Sequence, residues 1–344
     1  MPTAPTLTRH PSWMKIIRRV GYGLLGIVVV VYVVVSAGVY GFAWSGPKTK
    51  TVTRFVPLPV AVIQWRPLGV YTFLGQLTTL NHYSRYLTAT NPQTFPVRSQ
   101  SQNIAAALTK MIRDHGAAQI ASRLGLHITA SQVDQAYQAQ LVQNGNAQQV
   151  ASTIQQLYQW TPAQFQQYVI RPVVINDQLL AKLSFDPKLN QASLKQAESV
   201  LALVKAGQQS FADVAKAYSD DSYGASGGDV GFISQGQEIQ EINDAAFSLP
   251  LNQVSDLIHT KYGFHILQVT EKKTVNGQDQ VHLFEITISG PSVDQYVTSQ
   301  LKTMSVRVFW PGVRWDANQG QVVSTTAAAK TTNNQTSAAS ATNQ

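Results

Sequence analysis

The longest apolar run in the chain covers residues 20–44, VGYGLLGIVVVVYVVVSAGVYGFAW, and contains no charged residue. At about 1.5 Å per residue, about twenty apolar residues cross a hydrocarbon core of about 30 Å, so the run predicts a transmembrane helix with room for tilt. Tyr22, Tyr40 and Trp44 lie toward its ends, where amphipathic rings favour the interface. A cleaved signal peptide is the alternative. Its apolar core is about 7–15 residues followed by small residues, and small residues do occur over 36–43. Residues 45–57, with Gly46, Pro47 and Pro57, read as a linker. The run 60–65 suits a short strand, and helical spacing follows. Tyr71, Leu74, Leu77 and Leu80 recur every third position, and Ile104, Leu108, Met111, Ile112, Ile120 and Leu124 form a second stripe. Val133, Tyr137 and Leu141 mark a third helix, and 151–160 and 162–183 continue the theme, with Pro162 at a helix start.

Asp186-Pro187 breaks this pattern. A capping box at Ser193 to Gln196 then precedes Ala197, Val200, Leu201 and Val204 on one helical face, and Gly207 sits where that helix stops. A second helix opens at Ser210 with Phe211, Val214, Ala215 and Tyr218 on one face. A glycine turn over 224–228 leads into a strand at 229–234, and a short helix covers 239–247. Residues 264–270 alternate as a strand, Asn276-Gly277 signals a hairpin, and 281–288 forms the next strand. A helix over 292–304 and a strand over 306–315 follow. The runs 60–65 and 306–315 lack partners nearby in sequence; isolated strands leave backbone groups unpaired, so these two are expected to pair with each other. The Ala, Thr, Ser, Asn and Gln composition of 317–344 predicts a disordered tail.

Composition narrows the function. The 344 residues suggest two domains plus extras. There is no cysteine, which excludes disulfides, thiolate zinc sites and a cysteine nucleophile. The net charge is +8, but Arg9, Lys15, Arg18 and Arg19 precede the apolar run and no later window is comparable. Nucleic acid is therefore not an expected partner. The four basic residues, set against Lys48, Lys50 and Arg54 beyond the run, place the N-terminus in the cytoplasm and the main domains outside it. Thirteen glutamines fall between Ser131 and Tyr168; the apolar spacing persists among them, which favours solvated helix faces over low complexity. No histidine pair has H-E-x-x-H spacing, so no metal site or cofactor is expected. Gly224-Ala-Ser226-Gly-Gly228 matches a nucleophile elbow in letters, but an elbow needs strand, turn, helix and the order here is helix, turn, strand.

Several motifs stand in register over 193–273: Phe211-Ala-Asp-Val-Ala-Lys-Ala-Tyr-Ser219-Asp-Asp, Gly227-Gly-Asp-Val-Gly-Phe232, Asp244-Ala-Ala-Phe247-Ser-Leu249, Val254-Ser255 and Tyr262-Gly-Phe-His-Ile266. In this order they resemble the parvulin family of peptidyl-prolyl isomerases. Upstream, Gly125-Leu-His-Ile-Thr129, Val133 and Trp160-Thr-Pro-Ala-Gln-Phe165 more loosely resemble the N-terminal chaperone domain of SurA-like and PrsA-like foldases. The resemblance implies an α+β protein in seven parts: cytoplasmic N-terminus 1–19, transmembrane helix 20–44, linker 45–57, helical SurA-like domain 58–186, parvulin-like domain 190–288 with a small antiparallel sheet and flanking helices, C-terminal segment 289–316 packing on the helical domain, and tail 317–344. It implies isomerisation of X-Pro bonds in unfolded or extended clients, and the apolar run 20–44 makes membrane lipid a further partner. The resemblance places Asp221 and His265 at the polar end of the site, Val230 and Ile242 around the proline, and Phe247 and Thr260 nearby.

One departure matters. Parvulins normally begin with a strand ending histidine-isoleucine-leucine, whereas the corresponding place here, 181–186, has no histidine. The stretch 281–288 resembles that strand, with Glu285 in the histidine's place, which implies a circularly permuted sheet and Glu285 as a third member of the catalytic set. A two-residue turn at Asn276-Gly277 would pair His265 with Ile288 and put Glu285 on the opposite face. A bulge or longer loop is needed to bring them together. Without the histidine, a chaperone or scaffold of the same fold that binds extended segments is the competing reading.

Overall fold

The structure, a computed structural model, describes residues 27–142 and 146–325 in full and the backbone course of 12–26 and 143–144. The start of the expected cytoplasmic stretch and the tail beyond 325 lie outside the described residues. Helices α1 (Ser12–Phe42) and α2 (Pro47–Thr53) lead to strands β1 (Pro59–Ile63) and β2 (Arg66–Gly69). Helices α3 (Val70–Thr90), α4 (Gln100–Arg123), α5 (Ala130–Asn144), α6 (Ala147–Tyr158) and α7 (Pro162–Phe165) follow, and a π-turn at Gln166–Ile170 joins α7 to α8 (Arg171–Ser184). Next come α9 (Gln191–Ala206), α10 (Phe211–Tyr218), β3 (Asp229–Ser234), α11 (Gln240–Ser248), β4 (Ile258–Thr260), β5 (Gly263–Val275) and β6 (Gln278–Ser289). The chain closes with α12 (Val293–Thr303), β7 (Val306–Val308), β8 (Val313–Asp316) and β9 (Gln321–Ser324). Among the described residues no helix is long and apolar enough to cross a membrane; the side chains of 20–26, part of the expected span, lie outside them.

The chain divides into two compact units whose bounds differ from the expected division at 186–190. One takes residues up to 115, 151–161 and from 301 onward; the other takes 116–150 and 162–300. In the first unit β1 is the centre of a three-stranded antiparallel sheet in the order β2-β1-β7, with Ala61 opposite Val308 and Ile63 opposite Val306. The two orphan strands thus pair as expected. Pro67 sits in β2, at the sheet edge, where a missing N–H costs no ladder bond. Phe73 packs against Trp310 with ring centroids 4.7 Å apart. Three expectations need correction here. Residues 47–53 are helical rather than linker, because Gly46 takes the N-cap and Pro47 the first turn. The run 306–315 is two strands, broken at Pro311-Gly312 where Gly312 has φ +76°. Strand β9 lies inside the expected tail: it pairs with β8, and Val322 N–H donates to Thr109 Oγ1 at 2.8 Å.

In the second unit the antiparallel sheet runs β3-β6-β5-β4. One face carries Phe264, Ile266, Ile286 and Ile288 against α9 and α10, with Val200, Phe211 and Val214 among the buried partners. The other carries Leu267, Val269, Val281 and Leu283 against Ile242 and Ala246 of α11. Helix α10 begins at a true cap, Ser210 Oγ accepting from Asp213 N–H at 3.1 Å. Helix α9 starts two residues before the expected box, at Gln191. Its N-cap Asn190 turns its side chain back to Ser184 O instead of capping the helix. Gly207 ends α9 with φ +66°.

Strand β6 comes last of the four in sequence yet lies inside the sheet, between β3 and β5. Its hairpin with β5 closes on Asn276 and Gly277, both with positive φ. The register shifts between Val269 and Glu271, where β5 carries one extra residue, Thr270. Beyond that bulge His265 pairs with Thr287 and Leu267 with Glu285. The one-residue slip is what puts Glu285 on the face of His265.

Candidate active site

At the end of the α11-facing side of the sheet the apolar alternation gives way to polar side chains: His265 from β5, Glu285 and Thr287 from β6, and Thr260 from β4. All four are buried. Buried polar groups must find partners, and these find one another. His265 Nδ1 lies 2.5 Å from Glu285 Oε1, and its Nε2 lies 2.8 Å from Thr260 Oγ1. Thr260 Oγ1 also accepts from Tyr262 N–H at 3.0 Å, which leaves a hydrogen and a second lone pair to face His265 Nε2. The ring is thus held at both nitrogens, Nδ1 against the Glu285 carboxyl and Nε2 against the Thr260 hydroxyl.

Asp221 joins from the segment after α10. Its Oδ1 accepts from the backbone N–H groups of Tyr223 and Gly224, each at 2.9 Å, and its Oδ2 faces Thr287 Oγ1 at 2.8 Å. The same segment runs alongside β6 as a makeshift strand. Thr287 N–H donates to Ser219 Oγ at 2.9 Å, Asp220 N–H to Thr287 O at 2.8 Å, and Glu285 N–H to Gly228 O at 2.8 Å. Gly228 must be glycine. Its φ is +81°, and a Cβ there would stand 2.4 Å from the Glu285 carbonyl oxygen. The glycine turn therefore holds β6 in place; Ser226 on it is exposed, and no strand-turn-helix elbow forms.

The residues expected to meet a proline lie on this same face. Ile242 is enclosed in the α11-side core at 2% exposure, and Val230 and Phe247 are half-buried at its margin. Thr260 touches His265 directly. Two residues escaped the sequence reading. Thr287 bridges Asp221 and Glu285, a role hidden in the alternation of an apolar strand. Glu238, on the loop between β3 and α11, has its carboxyl pushed above the ordinary range, first by burial and then by the charge of Glu285. Nothing in the sequence pattern marks it. Among the described residues no group of three or more His, Cys, Asp or Glu is placed to hold a metal ion.

Residues 175–273 match the PPIC-type PPIASE domain family. The match stops short of β6, the strand that supplies Glu285 and Thr287. A foldase protein PrsA from Geobacillus sp. (strain WCH70) is 37% identical over 112 residues, covering 30% of this chain and 40% of that protein. The foldase protein PrsA of Bacillus subtilis (strain 168) is 43% identical over 83 residues, covering 24% and 28%. A chaperone SurA from Chromobacterium violaceum is 43% identical over 63 residues, covering 18% and 15%. This chain thus spans less than half the length of the curated relatives it matches. The solved peptidylprolyl isomerase (PrsA) of Bacillus anthracis overlaps 56% of this chain and 84% of its own at 18% identity, but a TM-score of 0.20 lends no weight to the fold assignment. Over residues 175–273 the chain is similar to the PPIC-type PPIASE domain.

Proposed function

We propose that this protein is a membrane-anchored, extracytoplasmic foldase that accelerates cis–trans isomerisation of X-Pro bonds in secreted or membrane proteins. The observation that carries the reading is the placing of His265 and Thr260, both inside the matched stretch, at the polar end of an otherwise apolar sheet face. Resonance holds the peptide bond planar with a barrier of about 18–20 kcal/mol, and uncatalysed X-Pro exchange takes tens to hundreds of seconds. No covalent bond need break. A catalyst must hold the proline ring and favour the twisted amide over the planar one. Val230 and Phe247 supply apolar surface for the ring, with Ile242 packed behind them. The hydrogen-bonded group of His265, Thr260 and Glu285 supplies the polar end, where the twisted amide presents a carbonyl and a nitrogen no longer conjugated with each other.

The location follows from the uncharged run 20–44 and the basic residues before it. Resistance to alkaline extraction, with domains removed by protease added outside, is the expected behaviour. Domains protected in intact cells would reverse the orientation.

A chaperone that binds extended polypeptide without useful catalysis is the second reading. It is favoured by one observation: both ring nitrogens of His265 are engaged inside the protein, and a glutamate stands where the resemblance implies a second histidine. A protease-coupled assay on an X-Pro peptide separates the two. The proposal predicts acceleration by the wild-type chain that is lost in His265→Ala. Peptide binding without acceleration in the wild type decides for the chaperone.

A further inference from the structure

Thr287 Oγ1 lies within hydrogen-bond distance of Asp221, Glu285 and His265 together. It lies 2.8 Å from Asp221 Oδ2, 3.0 Å from Glu285 Oε1 and 3.3 Å from His265 Nδ1. Its backbone is fixed on both sides, by pairing with His265 in β5 and by the bonds to Ser219 and Asp220. The hydroxyl is therefore placed by the sheet rather than by its own rotation alone.

A threonine hydroxyl has one hydrogen and two lone pairs. Two carboxylate oxygens compete for that single hydrogen. If Asp221 takes it, Glu285 Oε1 faces the lone pairs of Thr287 and keeps only its contact with the imidazole Nδ1. If Glu285 takes it, Asp221 Oδ2 faces those lone pairs instead. Asp221 has no hydrogen bond of its own to His265; its other oxygen is committed to Tyr223 N–H and Gly224 N–H. Any influence of Asp221 on the imidazole by hydrogen bonding must pass through Thr287. The charged groups facing this centre are Asp221, Glu285 and, from the loop before α11, Glu238.

We propose that Thr287 is a positioning residue of the isomerase site, its single hydroxyl coupling Asp221 to Glu285 and His265 so that the four side chains respond as one unit. The proposal rests on the isomerase reading for its effect on rate, but the coupling itself is a property of the folded protein. Asp221 acts through this bridge and not by contact with the imidazole.

The test uses two readouts on the whole chain: the ring-nitrogen NMR signals of His265 followed against pH, and kcat and KM on an X-Pro peptide. Thr287→Val keeps the shape and removes the hydroxyl; Thr287→Ser restores it. Valine should displace the His265 ring signals and their pH profile and lower kcat about tenfold while KM stays within about twofold, the effect of one lost polar contact. Serine should return both readouts to wild-type behaviour. Asp221→Asn covers the case in which the valine variant does not fold: it too should move the His265 signals, since Asp221 is linked to the ring by hydrogen bonds only through Thr287. Where Thr287→Val folds, adding Asp221→Asn to it should move them less than Asp221→Asn does in the wild type. Unmoved ring signals in Thr287→Val, or in Asp221→Asn, overturn the coupling, as does a serine variant that behaves like valine. A wild-type chain without isomerase activity overturns the function proposed above, and the ring signals still decide the coupling.

Discussion

The turn that holds β6 can be tested by a single methyl group. In Gly228→Ala the new Cβ faces two separate costs. The backbone sits at φ +81°, and the left-handed region costs an alanine about 1–2 kcal/mol. The Cβ would also stand 2.4 Å from the Glu285 carbonyl oxygen and 3.1 Å from Ala215 Cβ, so β6 must withdraw. Withdrawal strains the 2.8 Å bond from Glu285 N–H to Gly228 O, and a buried group left unpaired costs about 1–3 kcal/mol. The expected loss is about 2–5 kcal/mol. Gly231 is the control. Its φ is +87°, but nothing lies within 4 Å of its Cβ position, so Gly231→Ala carries only the conformational cost of about 1–2 kcal/mol. Urea unfolding followed by far-ultraviolet circular dichroism measures both losses. Amide exchange at Glu285 reports the local opening, which should quicken only in Gly228→Ala. If the two variants lose the same stability to within about 0.5 kcal/mol, the close packing of the turn on β6 is not what requires glycine at 228.

Three further perturbations follow from the same geometry. Leu267→Ala removes a fully buried side chain from the α11-side core and should cost about 2–5 kcal/mol in chemical unfolding; a loss under about 1 kcal/mol would mean that this face is loosely packed. Glu285→His should raise the isomerase rate or leave it unchanged, and a clear fall in kcat would show that the glutamate is specifically required. Glu238 binds its proton more tightly folded than unfolded, so it takes up protons on folding and its contribution falls as pH rises from the ordinary 4.5 through the raised value. Thermal melting should therefore show the wild type losing ground to Glu238→Gln across that window and running parallel to it at lower pH; a constant gap at all pH values contradicts the assignment.

Much of the second unit was legible because local signals and burial agree there. The strand at 264–270 and the cap at Ser210 follow from alternation and from side-chain chemistry within four residues. The pairing of 60–65 with the run 306–315, whose first three residues supply it, was legible for a different reason: backbone groups need partners, and only one other apolar run was unpaired. The failures have physical sources too. Pro47 looks like a chain breaker but is at home in a first helical turn. Pro67 hides β2, since an edge strand tolerates what a central one does not. Strand β9 is short and sits in a composition typical of disorder, and it forms because β8 and Thr109 offer it partners. In the site, His265, Thr260 and Asp221 were marked by the resemblance. That Glu285 reaches His265 depends on the bulge at Thr270, and no local signal distinguishes that residue from its neighbours in an alternating strand.

The proposed activity requires that the face bearing His265 speed rotation about X-Pro bonds. Two-dimensional exchange spectroscopy on a proline peptide, with catalytic amounts of the whole chain, measures that rotation at equilibrium without a coupling protease. Catalysis at this face should give cis–trans exchange cross-peaks that grow with wild-type protein and vanish with His265→Ala, while both proteins still broaden the peptide signals on binding. Exchange no faster than in free peptide with the wild type, or equally fast with His265→Ala, would contradict it.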